Sequence, residues 1–257
     1  MGNGVSPSDR LGPGTGKHVP LPEQEIHVWF TELDATAESP HTALLDEEEL
    51  ARASRLRDGA DRRRYVAAHG LVRALLAGYL GEAAEGLRFR RGPQGKPELA
   101  REGGVPALSF NLSHTRRWAA VALARSMPVG VDVEQLDAAV DADGMARLVM
   151  SVSEQATLAA LTPAQRRRSF LAAWVCKEAV LKATGHGLGD GAQRIELPRD
   201  VLAGGGDGTG DSFDFVVEYE GSWRVRSLDF AGDGIGAVSA PDVGWTLRCL
   251  SFGAPRV

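Results

Sequence analysis

The chain is short of cysteine, of aromatic residues and of long apolar runs, and each shortage narrows what it can be. Only two cysteines occur in 257 residues, Cys176 and Cys249, with no CxxC or Cys/His spacing around them. A disulfide framework and a thiolate zinc site are set aside, and two buried thiols in a reducing compartment are expected. No stretch approaches the roughly 20 apolar residues of a membrane-spanning helix. The opening "MGNGVSPSDRLGPGTGKHVP" lacks the apolar segment of a signal peptide, so a cytoplasmic protein with a disordered tail over 1–20 is expected. Aromatic residues make up 6%, the net charge is −5, and no Lys/Arg block stands out. Those features disfavour nucleic-acid and anionic-membrane partners, while leaving room for a local basic patch that grips a phosphorylated small molecule.

What is present suffices for a sizeable core: 43% hydrophobic and 25% charged residues. A first strand is expected over 25–33, and a helix after it within 39–57, whose acids at 46–49 suit its first turn. A stronger helix runs over 61–81 with Gly81 as its stop, and "GPQGKPEL" (92–99) reads as a loop. Strands are expected at 107–115, 118–124 and 129–134, the last two joined by "RSMP" as a hairpin. Helices follow near 143–149, 153–161 and 164–184. Strands then come near 193–197, 213–219, 223–230, 235–240 and 245–251, with a glycine loop at 203–212. The fold class is α+β: two similar subdomains, 21–135 and 136–257, each with helices and a small antiparallel sheet.

Two placements of charge stand out. In "VGVDVE" (129–134) the valines share one face of a strand, while Gly130, Asp132 and Glu134 share the other. That is either a solvated polar face or a pair of carboxylates aimed at one cation. On the 164–184 helix, with Phe170 set at zero, Leu181 falls near about 20°, Trp174 about 40° and Leu171 about 100°. Glu178 falls at about 80°, inside that apolar arc, with Lys182 beside it at about 120° and Lys177 at about 340°. Burying that carboxylate costs several kcal/mol unless something pairs with it. It is either an i,i+4 partner of Lys182 or a third oxygen donor beside Asp132 and Glu134. Three carboxylates with water positions left open suit Mg²⁺, which favours oxygen ligands and borrows substrate phosphate oxygens.

"GVDVE" at 130–134 and "WVCKEAVLK" at 174–182 resemble the paired signatures of the 4′-phosphopantetheinyl transferases, (V/I)G(V/I)D(V/I)E and WxxKEAxxK. "GKP" at 95–97 and "FNLSHT" at 110–115 resemble, in the expected order, two further stretches of the larger Sfp-type branch. The resemblance spans about Arg64 to Gly187. It implies two α+β subdomains related by a pseudo-twofold. It also implies transfer of the phosphopantetheine arm of coenzyme A to a serine of an acyl or peptidyl carrier protein, with release of adenosine 3′,5′-bisphosphate. Polyketide or nonribosomal-peptide carriers are the expected partners, and the chain is expected to act as a monomer.

By the same resemblance Asp132, Glu134 and Glu178 hold Mg²⁺, and Lys182 contacts a phosphate oxygen. Lys96, Pro97, Ser113, His114 and Arg64 contact the coenzyme A nucleotide and phosphates, with Arg52 a weaker candidate. Glu154, in an SxxE-like setting, is the candidate general base, so the expected catalytic group is Glu178, Lys182, Glu154 and His114. Against that base stands the plain reading of an N-terminal helix glutamate stabilised by the macrodipole. Two other readings stay open: a non-catalytic carrier-binding module of the same fold, and a Mg²⁺-dependent phosphohydrolase.

Overall fold

A computed structural model describes residues 10–11, 20–33, 39–92, 94–100, 108–137, 140–187, 191–203, 212–228, 230 and 233–252. Most of the expected tail and most of the 203–212 glycine loop lie outside the described residues. The strands are β1 (Arg10–Leu11), β2 (Glu25–Glu32), β3 (Phe89–Arg91), β4 (Pro97–Leu99), β5 (Leu108–His114), β6 (Trp118–Arg125), β7 (Gly130–Gln135), β8 (Asp214–Glu218), β9 (Ser222–Leu228), β10 (Gly234–Pro241) and β11 (Thr246–Phe252). The helices are α1 (Glu47–Ser54), α2 (Gly59–Leu80), α3 (Ala142–Val149), α4 (Val152–Ala159), α5 (Pro163–Thr184), α6 (Gly191–Arg194) and α7 (Arg199–Leu202). Among the described residues no helix is long and apolar enough to cross a membrane. The chain divides into two compact units: Met1–Arg90, Pro97–Ser126 and Thr246–Val257, and then Arg91–Lys96 with Met127–Trp245.

In the first unit the sheet order is β1-β11-β2-β6-β5, with β1·β11 and β11·β2 parallel and the other pairs antiparallel. The central strand β2 is buried on both faces from Ile26 to Phe30, and even His27 is enclosed, its ring bonded to Tyr79 and Glu25. α2 starts at Asp58, whose side chain accepts from the backbone N–H groups of Ala60 and Asp61. Its Leu71, Leu75, Leu76 and Tyr79 pack with Trp29, Val121 and Leu123 in one core.

In the second unit β7-β10-β9-β8 form a fully antiparallel sheet. α5 begins with a capping box between Thr162 and Gln165, has Pro163 in its first turn, and stops at Gly185, where φ is 78°. From Ser169 to Leu181 every residue of this helix is buried, so it is enclosed all round rather than along one stripe.

Several expectations are corrected here. β6 and β7 do not form a hairpin: β6 pairs with β2 and β5, and β7 pairs with β10 about a hundred residues later. Residues 129–135 therefore go with the second sheet and 246–252 with the first, the reverse of the expected division. The first sheet is mixed rather than antiparallel, because β11 returns parallel to β2 and Arg10–Leu11 adds parallel to β11. Residues 191–194 are helical where a strand was expected at 193–197, and 97–99 is a short strand inside the expected loop. Cys176 is buried as expected, whereas Cys249 is only partly so.

Candidate active site

The chemistry of the second unit begins with the alternation of β7. Gly130 lies so close to α5 that a Cβ there would stand 2.1 Å from the Ala179 carbonyl oxygen and 2.4 Å from the Ala183 nitrogen. The face shared by Gly130, Asp132 and Glu134 is therefore the face against α5. Asp132 is buried and accepts a hydrogen bond from Lys182 Nζ at 2.6 Å, joining β7 to the last turn of the helix. Glu134 Oε1 accepts from the indole N–H of Trp174 at 3.3 Å. Glu178 projects from the helix face between Trp174 and Lys182. It is 9% exposed, and its Oε1 has no hydrogen-bond partner among the described residues.

The electrostatics follow from that enclosure. Burial, reinforced by Asp132 and only partly opposed by Lys182, raises the Glu178 carboxyl from 4.5 to about 7. Burial and Asp132 also raise Glu134, against the bond from Trp174. The three acids thus feel one another, and the Lys182 ammonium already serves Asp132 as a cation would. Among the described residues no three carboxylate, imidazole or thiol groups are gathered closely enough to enclose an ion as they stand. The donor set still fits a hard divalent cation: oxygen ligands only, with one buried oxygen of Glu178 left over.

Glu154 has a different employment from the one expected. It is 1% exposed. One carboxylate oxygen accepts from Ser151 N at 2.8 Å, closing a capping box, and from Lys177 Nζ at 2.7 Å; the other accepts from Leu197 N at 3.1 Å. Lys177, itself fully buried, also donates to the carbonyls of Ala192 and Ile195. A carboxylate so enclosed and so bonded is not placed to receive a hydroxyl proton, so the general-base reading is withdrawn and the helix-terminal reading stands. The sequence held a signal for this pair. Lys177, at about 340° on the helix wheel, lies outside the arc that holds Glu178, yet it falls between two apolar residues, Ala173 at about 300° and Phe170.

Lys96 also departs from expectation. Its half-buried ammonium donates to the Val129 carbonyl at 3.0 Å and the Lys182 carbonyl at 2.6 Å, both within the second unit. Pro97, next in the chain, is exposed at the start of β4.

The remaining candidates belong to the first unit. Ser113 is buried and His114 exposed at the end of β5, opposite Ala120 and Ala119 of β6. Arg64 sits in the first half of α2, where one guanidinium nitrogen donates to Asp61 at 2.8 Å; its buried Nε has no partner among the described residues. Arg52 is exposed in the last turn of α1. The structure thus brings together Asp132, Glu134, Glu178, Lys182 and the Lys96 arm in one unit, and sets Arg52, Arg64, Pro97, Ser113 and His114 in the other.

Comparison with known proteins meets this geometry from the other side. Residues 128–209 match the 4′-phosphopantetheinyl transferase superfamily, and residues 36–126 match the N-terminal part of a 4′-phosphopantetheinyl transferase. The 4′-phosphopantetheinyl transferase HetI of Nostoc sp. is 35% identical over 173 residues, 66% of this chain and 73% of that protein. The 4′-phosphopantetheinyl transferase of Bacillus subtilis is 29% identical over 179 residues, 65% of this chain and 77% of that protein. A phosphopantetheinyl transferase of Thraustochytrium sp. is 29% identical over 201 residues, 71% of this chain and 69% of that protein. The chain belongs to the 4′-phosphopantetheinyl transferases, enzymes that move the phosphopantetheine arm of coenzyme A onto carrier proteins.

Proposed function

We propose that the acid group on β7 and α5 is the metal and pyrophosphate centre of this transfer, with magnesium as the divalent cation. The observation that carries the reading is Glu178, a buried carboxylate that feels the charges of Asp132 and Glu134 and keeps one oxygen without a partner among the described residues. Asp132, Glu134 and Glu178 would hold the ion, and Lys182, bonded to Asp132, would meet a phosphate oxygen. Magnesium, when bound, supplies positive charge where negative charge builds on the bridging and leaving oxygens. Transfer of a phosphoryl-linked group needs such charge compensation and positioning more than a covalent nucleophile.

Ser113, His114, Arg64, Pro97 and Arg52 are proposed to contact the nucleotide and phosphates of coenzyme A. The carrier serine attacks the phosphorus that bears pantetheine, and adenosine 3′,5′-bisphosphate leaves. The resemblance of "GKP" and "FNLSHT" to the Sfp-type branch is the ground on which we propose service to polyketide or nonribosomal-peptide carriers, by a cytoplasmic monomer. The test is one incubation of the protein with coenzyme A, Mg²⁺ and an apo carrier protein, read by intact mass. Gain of the arm, abolished by EDTA and restored by Mg²⁺, supports the reading. An unmodified carrier would favour a non-catalytic binding module, and cleavage of coenzyme A without carrier modification would favour a hydrolase.

A further inference from the structure

We propose that Lys96 is a positioning residue: its ammonium clamps the crossing of β7 and α5, and so holds Asp132 and Lys182 in the arrangement that binds cation and pyrophosphate. This inference rests on the reading of the acid group given above.

The crossing is a backbone-to-backbone contact. At Gly130 the strand touches the turn of α5 from Ala179 to Ala183, and a Cβ at this position would stand only 3.0 Å from the Lys182 carbonyl carbon. Asp132 lies two residues further along the strand, and Lys182 lies in the touched turn. The 2.6 Å bond between them is therefore set by how closely strand and helix approach at Gly130. Two carbonyls converge beside that contact. Lys182 O is one of the last four of the helix, which have no intrahelical partner and carry the negative end of the helix dipole. Val129 O belongs to the chain just entering β7. Lys96 Nζ donates to both.

The arm that presents this ammonium is itself braced. Gly95 turns at φ 83°, Gly95 N donates to Gly92 O at 2.9 Å, and Gly92 N donates to Lys96 O at 2.8 Å. Pro97 follows and fixes its own φ. Two of the lysine's three donors are thus directed into the protein, at the junction of the two elements that carry the acids.

Two variants separate the roles: Lys96→Met, which removes the donors at similar length, and Lys96→Gln, which keeps a neutral donor should the first fail to fold. For each, Mg²⁺ and Mn²⁺ binding is measured by calorimetry with coenzyme A present. Transfer at saturating coenzyme A is measured alongside, as is the preference for coenzyme A over its 3′-dephospho form. A clamp predicts cation affinity and saturated turnover each falling about tenfold or more, the scale for loss of an outer partner of a metal site. It also predicts an unchanged preference for the 3′-phosphate. Unchanged cation affinity with that preference lost would make Lys96 a direct phosphate ligand and overturn the proposal, as would no change at all. A wild type that binds no divalent cation and transfers without one overturns the metal reading and this inference together; a wild type that needs the cation, with unaltered variants, overturns this inference alone.

Discussion

Glu178→Gln should stabilise the metal-free protein at neutral and alkaline pH while destroying its activity. Burial and Asp132 hold the Glu178 carboxyl at about 7 rather than 4.5. Because the folded carboxyl binds its proton more tightly than the unfolded one, its contribution to folding is fully present below about pH 4.5. That contribution is lost as the pH rises through 7. At about 1.4 kcal/mol for each tenfold change in proton affinity, the shift corresponds to about 3 kcal/mol. Glutamine keeps the side chain's shape and has no proton to lose. Near pH 4 the two proteins should therefore unfold together, and at pH 8 the variant should be the more stable by about 3 kcal/mol. For a chain of this size that is roughly 6–12 °C in Tm. Thermal unfolding in EDTA across pH 4–8 measures it. Mg²⁺ should then raise the wild-type Tm at pH 8 and leave the variant nearly unmoved, while transfer by the variant falls by on the order of a hundredfold. Parallel pH profiles for wild type and variant in EDTA would refute the reasoning, for they would mean that Glu178 keeps its charge at little cost and has no need of a cation.

Glu154→Gln should lower stability by about 3–5 kcal/mol, since it leaves the buried Lys177 ammonium without its counter-charge, yet the folded fraction should transfer within a few-fold of wild type. A loss of a hundredfold or more with unchanged unfolding would restore Glu154 as general base. Gly130→Ala should lower Tm by the equivalent of about 1–3 kcal/mol or more and depress transfer with it, because both atoms a Cβ would strike belong to the backbone; a variant that melts and transfers like wild type would show that the crossing can yield. His114→Ala should weaken coenzyme A binding more than it slows single turnover at saturation, and a rate defect that saturation leaves in place would point to proton transfer instead.

The sequence disclosed the elements better than their partners. Alternation in "VGVDVE" marks a strand with one acidic face, and the acids do face α5, but alternation carries no information about which strand lies alongside. "RSMP" has the length of a tight turn, so a hairpin was the natural reading. The bonds that decide otherwise run from β7 to β10, across α3, α4 and α5 in the chain. The expected strand at 193–197 failed for a related reason. Gly191–Arg194 is helical, and the Ala192 and Ile195 carbonyls meet the buried Lys177 ammonium, a demand from a distant side chain that local periodicity does not disclose. Lys96, a lysine between glycine and proline, reads as a ligand-gripping loop residue, and no sequence pattern discloses that its ammonium also meets the end of α5.

The site itself was legible through charge in the wrong place, but that signal has two meanings that the helix wheel does not separate. Lys177 and Glu178 are neighbours in the chain, each flanked by apolar residues on the wheel, and both are buried. Desolvation acts on each, lowering Lys177 and raising Glu178. Lys177 is met by Glu154 and two carbonyls, a full set for an ammonium with three donors, so its burial is complete within the protein. Glu178 keeps one buried oxygen that no described residue meets, beside two further acids that make its charge harder to hold. A buried charge whose partners all come from the chain belongs to the fold. At Glu178 the set stops short among the described residues, and our proposal is that a bound cation, positive and suited to oxygen, completes it.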